Sequence, residues 1–163
     1  MKKLILSVFC MLAVFIISCG SETDVAKKTE NQNATYVNKK FGFEVEYPEK
    51  VLIAQGETAN GYGQIFESQD ESAILKTYAK FNTSDVTLEQ SFEQAQNGEV
   101  AENNLDEKAQ MFTVTGVHAG TVYNIKRYLI DDVYIIYEFR YPEVKKDYYG
   151  PINEVMSKSL KVY

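Results

Sequence analysis

The sequence predicts an α+β domain, a mostly antiparallel β-sheet of about six strands with helices packed on it. Three observations predict this. Residues 111–141 hold three successive runs rich in β-branched and aromatic residues, separated by short turn sequences. In the last run Val133, Ile135, Tyr137, Phe139 and Tyr141 share one face while Tyr134 and Ile136 make the other face apolar, so the strand must be covered on both sides. The apolar period also changes from two to 3.6 at two places, after Thr87 and after Pro142, where a helix must begin.

Taken in order, the chain opens with Lys2-Lys3 and the apolar run Leu4 to Cys19. That run is shorter than the roughly 20 residues needed to span ~30 Å of hydrocarbon, so residues 1–18 are expected to be a cleaved signal peptide. Ile16-Ile17-Ser18-Cys19 resembles the lipobox of bacterial lipoproteins: an aliphatic residue, a tolerated one, a small one, then the modified cysteine. The resemblance implies a diacylglycerol thioether on Cys19, cleavage before it, and acylation, typically with palmitate, of the new amino terminus. Several acyl chains anchor stably where one does so marginally. The competing reading is a retained helix, or a plain secretory signal whose cysteine is incidental. On the lipobox reading the protein faces the periplasm or the cell exterior of a bacterial cell envelope. Gly20-Ser21 lack the aspartate that signals inner-membrane retention in some bacteria, which points to an outer membrane where one exists.

Residues 19–34 are polar and aperiodic, a flexible tether that reaches up to about 50 Å. Residues 35–163 then suffice for a single domain with one core. Phe41 to Tyr47 alternates apolar and acidic residues up to Pro48, a strand with one buried face. Val51–Ala54 is a short apolar piece, and Gly56–Gly63 reads as a loop. Gln64–Glu67 and Ser72–Phe81 read as strands of a hairpin through Gln69-Asp70-Glu71. Leu88, Phe92 and Ala95 fall on one helix face, with Thr87 and Gln90 spaced as a capping box and Asn97-Gly98 as the stop. Glu99–Gln110 is acidic, polar and aperiodic, and reads as an exposed loop or an irregular lead into the next strand. Three strands follow, Met111–Val117, Thr121–Ile130 and Val133–Tyr141, turning at His118-Ala119-Gly120 and Asp131-Asp132. Tyr148, Ile152, Val155, Met156 and Leu160 form a closing helical stripe, with Pro151 placed in its first turn.

The opening Tyr36 to Pro48, with its Phe41-Gly42-Phe43 and Tyr47-Pro48, is similar to the start of small bacterial lipoproteins of the PsbP/Mog/DcrB-like fold. The end resembles that family as well, in Tyr137-Glu138-Phe139-Arg140-Tyr141-Pro142, Tyr149-Gly150-Pro151-Ile152 and Ser157 to Lys161. The resemblance implies an α/β/α sandwich around an antiparallel sheet. It rests on core and turn residues, and members serve unrelated binding and assembly roles, so it implies no activity.

Charge narrows the partners. The formal net charge is −6 for the whole chain, and becomes about −8 once Lys2 and Lys3 leave with the signal. Basic residues outside the signal and tether occur only singly or in pairs, so nucleic acid is excluded as a partner. Cys10 leaves with the signal and Cys19 is consumed by lipid, so no disulfide or thiol chemistry remains.

Candidate sites are few. His118 is the only histidine, without the cysteine, second histidine or serine motif that a triad or zinc site needs, and is read as a turn residue. Gly56–Gly63 lacks the Gly-Lys-Ser/Thr of a phosphate loop but can border a pocket with Tyr62. Glu99, Glu102, Asp106 and Glu107 match no calcium loop and are read as a solvated face. Twelve tyrosines crowd the domain, and Tyr148 and Tyr149 beside Lys145-Lys146 are the leading candidate surface. With no catalytic residue, metal or cofactor site in prospect, the expected function is a membrane-anchored, non-catalytic protein-binding or assembly module. The alternative is a small-molecule carrier with a pocket between helix and sheet. Replacing Cys19 with Ser is expected to leave an unprocessed precursor that is lost from the membrane fraction on extraction; a variant that stays processed and anchored contradicts the lipobox.

Overall fold

The computed structural model describes residues 33–163, so Cys19, the signal and nearly all of the tether lie outside the described residues. Ten strands and two helices follow one another: β1 (Asn33–Asn38), β2 (Phe43–Pro48), β3 (Leu52–Glu57), β4 (Gly63–Ser68), β5 (Ile74–Phe81), α1 (Leu88–Ala95), β6 (Glu99–Asp106), β7 (Met111–His118), β8 (Thr121–Ile130), β9 (Val133–Pro142), α2 (Lys146–Ser159) and β10 (Lys161–Val162). They build an antiparallel seven-stranded sheet of order β3-β4-β5-β9-β8-β7-β6 and a three-stranded sheet of order β1-β2-β10. Six strands was therefore an underestimate, and the molecule is richer in sheet than a balanced α/β/α sandwich.

The strand that is apolar on both faces, β9, is the central strand of the large sheet. Its residues Ile135, Tyr137, Phe139 and Tyr141 face a layer made of α2 and the small sheet, where Phe43, Val45, Tyr149, Met156 and Leu160 are all at most 3% exposed. On the opposite face a smaller cluster, Leu88, Ala95, Phe112, Val114, Tyr123 and Ile125, packs under α1. The predicted capping box is present: Thr87 Oγ1 accepts from the Gln90 amide at 3.2 Å and Gln90 Oε1 accepts from the Thr87 amide at 3.0 Å. Asp131 and Asp132 both take positive φ, 49° and 59°, as a two-residue hairpin turn requires.

Four expectations are corrected. Residues 33–38, not read as a strand, form β1, and their polar sequence hid it because it is an edge strand with alternate residues in solvent. Residues 99–106 form β6 instead of a loop. A bulge between Val100 and Glu102 shifts the phase, so Val100 and Leu105 both face the α1 cluster although they lie an odd number of residues apart. Pro151 lies within α2, in its second turn, because the helix already begins at Lys146. The inward stripe of α2 is Tyr149, Ile152 and Met156, leading to Leu160, while Tyr148 and Val155 point outward. Tyr149 wins the inward position because its ring meets Phe139 and Tyr141 at 5.9 and 5.4 Å.

A polar chain pins α2 to the sheet. The fully buried Tyr137 donates its hydroxyl to Asn153 Oδ1 at 2.9 Å, and Asn153 Nδ2 donates to Asn124 Oδ1 at 3.0 Å. Beside it on β5, the Thr77 hydroxyl is buried without a partner. Tyr137→Phe leaves the half-buried Asn153 amide oxygen without its donor and is expected to cost about 1 kcal/mol in urea unfolding. Thr77→Val removes an orphan hydroxyl and is expected to be neutral or stabilising, by up to about 1 kcal/mol. Equal destabilisation of the two variants would contradict the network.

Candidate functional site

The sequence-derived candidates separate in space. Tyr148 and Tyr149 come together, with Lys145, around an open surface pocket of about 440 Å³ also lined by Lys50, Val51 and Asp70. Tyr149 forms its floor at 3% exposure, and Tyr148 stands at its rim with its ring 4.9 Å from that of Tyr149. Lys145 is committed to the β4–β5 turn: its ammonium pairs with the Asp70 carboxylate and donates to Ser72 Oγ at 2.9 Å. Asp70 also accepts from Ser68 Oγ and Ser72 Oγ, both at 2.7 Å. Lys145 above all, then these hydroxyls, hold the Asp70 carboxyl well below the usual carboxylate range, and Asp70 raises Lys145 in turn.

Tyr62 is elsewhere. Its ring meets Phe41 at 5.1 Å and Phe81 at 5.9 Å, and the Lys40 ammonium lies 4.5 Å from its centroid. The turn that carries it is closed by Thr58 Oγ1, which accepts from the Tyr62 and Gly63 amides, and β3 runs to Glu57, so only its tip is loop. Glu99, Glu102 and Asp106 are spread along β6, with Glu107 in the turn beyond it. No group of three or more His, Cys, Asp or Glu that could hold a metal ion occurs among the described residues. No helix among them is long and apolar enough to cross a membrane.

A recess between helix and sheet does exist, on the α1 side, and Gly56–Gly63 does not line it. An α-helix of eight residues is about 12 Å long, whereas seven strands at ~4.8 Å spacing span about 29 Å. Helix α1 therefore covers β7 and β8; the segment leading into it, to whose Val86 carbonyl the Tyr134 hydroxyl donates, shelters Tyr134, while Lys76 and Lys80 of β5 and Arg140 of β9 stay exposed on the same face. Along its edge run two adjoining hollows of about 140 and 300 Å³ that share Gln94 and Arg127. The larger is also lined by His118, Glu138 and Arg140, so the only histidine and both arginines of the chain meet there.

Sequence reasoning missed this grouping. The Asp131-Asp132 turn fixes the β8–β9 register, pairing Arg127 with Ile136 and Tyr123 with Arg140, which puts both arginines on one face. That register was the available signal.

The electrostatics of the recess are uneven. Arg140 Nε pairs with Glu138 Oε1 at 2.5 Å. Arg127 donates Nη1 to Ser91 Oγ at 3.0 Å and lies over the Phe112 ring at 5.7 Å. It takes part in none of the ion pairs among the described residues, and its Nε is buried without an acceptor. Burial raises the neighbouring Tyr78 phenol, the charge of Glu138 adds to the shift, and Arg127 and Arg140 oppose it. The walls are held rigidly. Tyr123 lies across Gly116, where any Cβ would sit 2.3 Å from its hydroxyl oxygen, and that oxygen accepts from the Asn97 amide at 3.2 Å, fixing the end of α1.

No protein-family model matches the chain, and no curated protein matches it. The structure is similar to the solution structure of cyanobacterial PsbP (CyanoP) from Synechocystis sp. PCC 6803, with a TM-score of 0.57 at 17% sequence identity over 89% of this chain and 99% of that one. The likeness establishes a PsbP-like fold and nothing about a site.

The Asp70 tie carries a pH signature. A carboxyl whose folded value lies below its unfolded one keeps its stabilising contact above about pH 3.9 and loses it only as pH falls through the folded value. The carboxyl 13C resonance of Asp70 is therefore expected to show no inflection between about pH 7 and 3, where a free aspartate passes its midpoint. An inflection within that range contradicts the Lys145 contact.

Proposed function

We propose that the chain is a non-catalytic, lipid-anchored binding module of a bacterial cell envelope, docking a protein partner through the outward face of α2. The observation that carries this reading is an apolar line left in solvent on a helix whose inner face is already satisfied. Val144, Tyr148 and Val155 are 93%, 57% and 54% exposed, and with Pro151 they recur at helical spacing from the 3-10 turn Glu143–Lys145 through α2. A tyrosine flanked by aliphatic residues and rimmed by charge is the anatomy of a compact protein interface. A bilayer is the poorer occupant, because Glu143, Asp147 and Glu154 interleave with Lys145, Lys146 and Lys158, and a surface-lying helix needs an excess of base. The lipobox supports the anchor. The filled main core, with the central residues of β9 at 0–3% exposure, supports contact by surface over enclosure of a carrier's cargo.

Photocrosslinking in intact cells tests this on the full-length chain. A benzoylphenylalanine at Tyr148 or Val155 is expected to give one discrete protein adduct, absent when the probe replaces Lys108 in the turn between β6 and β7. Val144→Asp with Val155→Asp is expected to abolish the adduct from Tyr148 with the melting temperature held. No adduct, adducts equal to those at Lys108, or an adduct to lipid alone overturns the reading.

A further inference from the structure

We propose that the recess between α1 and the open half of the large sheet binds a small organic monoanion, a carboxylate with a short apolar tail. This rests on the placement of charge and is independent of the α2 surface. The chain carries a formal net charge of −6 and only two arginines, yet both arginines and the only histidine line this recess. Two guanidinium groups gathered at one place in an acidic protein attract negative charge there.

Arg127 is the group that calls for a ligand. A guanidinium offers five donors, and a partly buried one is costly unless its charge is compensated. Among the described residues the chain supplies Arg127 with one hydroxyl, that of Ser91, and one ring face, that of Phe112, but no carboxylate. Gln94, which shares both hollows with it, adds a neutral amide that can donate to the same oxyanion.

The charge sum of the larger hollow selects the class. Its lining holds no lysine, and Glu138 neutralises Arg140, leaving an excess of about one positive charge on Arg127, which a monoanion balances and a phosphate dianion exceeds; Lys80 lines only the smaller hollow. Shape agrees with this. The larger hollow, about 300 Å³, lies at the lower end of small-molecule sites, and its lining includes Ala95, Tyr123 and Ile125 as an apolar floor below the charged end. That floor is preorganised, because the Tyr123 hydroxyl holds the Asn97 amide and Gly116 lets the ring lie flat, so little ordering remains to oppose binding.

The test uses full-length lipidated protein in non-ionic detergent micelles, with NMR of the two arginine side chains and of the Ala95 methyl. Three probes are titrated: 3-phenylpropionate, its neutral amide and phenyl phosphate. The carboxylate is expected to shift the Arg127 and Ala95 signals saturably with a Kd of about 1 mM, and the amide at least about tenfold more weakly. Arg127→Gln is expected to weaken the carboxylate at least about tenfold. Because that variant also loses the contacts to Ser91 and Phe112, Glu138→Gln provides the check that a structural role would not reproduce. It removes the opposing charge and is expected to tighten the carboxylate about threefold to tenfold. Saturation by the amide as strong as by the carboxylate, no saturable shift at Arg127, or an unchanged affinity in Glu138→Gln overturns the proposal. Tighter binding of phenyl phosphate than of the carboxylate overturns the monoanion assignment.

Discussion

The two-faced apolarity of β9 is the constraint from which the rest of the architecture follows. A strand carrying Tyr134, Ile135, Ile136, Tyr137, Phe139 and Tyr141, all at most 6% exposed, is stable only at the centre of a sheet with a layer on either side. The chain meets this asymmetrically. One layer combines the 14-residue α2 with a three-stranded sheet that also captures the C-terminal strand, Tyr163 donating its amide to Gly42 O at 2.9 Å. The other layer is α1 with the segment that leads into it, whose Val86 carbonyl accepts from the Tyr134 hydroxyl, and it stops short of the Glu138–Arg140 end of β9. The recess beside α1 is thus a geometric remainder of how β9 is buried, and it opens over the strands that carry Arg127, Glu138 and Arg140.

Polarity within the main core acts on specificity more than on net stability. Tyr137, Asn153 and Asn124 could be replaced by apolar side chains of similar shape at little cost, but any one left alone would be an unpaired buried dipole. The chain of bonds therefore selects one rotation of α2 on the sheet. That rotation decides which of two overlapping apolar stripes turns inward. With Tyr149 and Met156 inside, Tyr148 and Val155 are left to solvent, and the surface that the proposed partner would use is set by a hydrogen bond on the opposite side of the helix.

Much of this was legible in the sequence where local chemistry and tertiary demand agree. The capping box at Thr87, the Asp131-Asp132 turn, the central position of β9 and the α1 stripe all follow from spacing and residue type. What was not legible came from places where the pattern is weak or doubled. β1 and β6 are edge strands whose residues are half in water, and the bulge at Ala101 breaks the period of two on which strand reading depends. Helix α2 carries two apolar stripes, and only packing against Phe139 and Tyr141 chooses between them. The grouping of Arg127, Arg140 and His118 joins three strands, so it emerges from register and not from any contiguous motif. Tyr148 and Tyr149, adjacent in the sequence, line one pocket, whereas Tyr62 packs with Phe41 and Phe81, neighbours that come from other parts of the chain and that its own loop does not show.

The two candidate surfaces lie on opposite faces of the large sheet. Asn33, where the described chain begins, lines a small apolar pocket of about 170 Å³ together with Pro48, Ile152 and Val155. Whatever precedes residue 33 therefore joins the domain beside the outward stripe of α2. The α1 recess opens on the other side of the sheet. A protein contact at one face and an anion at the other then need not compete for space. Any coupling between them would have to pass through the sheet, and the Asn124 side chain is placed for it: on β8 it holds Asn153 of α2, while the strand's next residues on the other face, Tyr123 and Ile125, floor the recess.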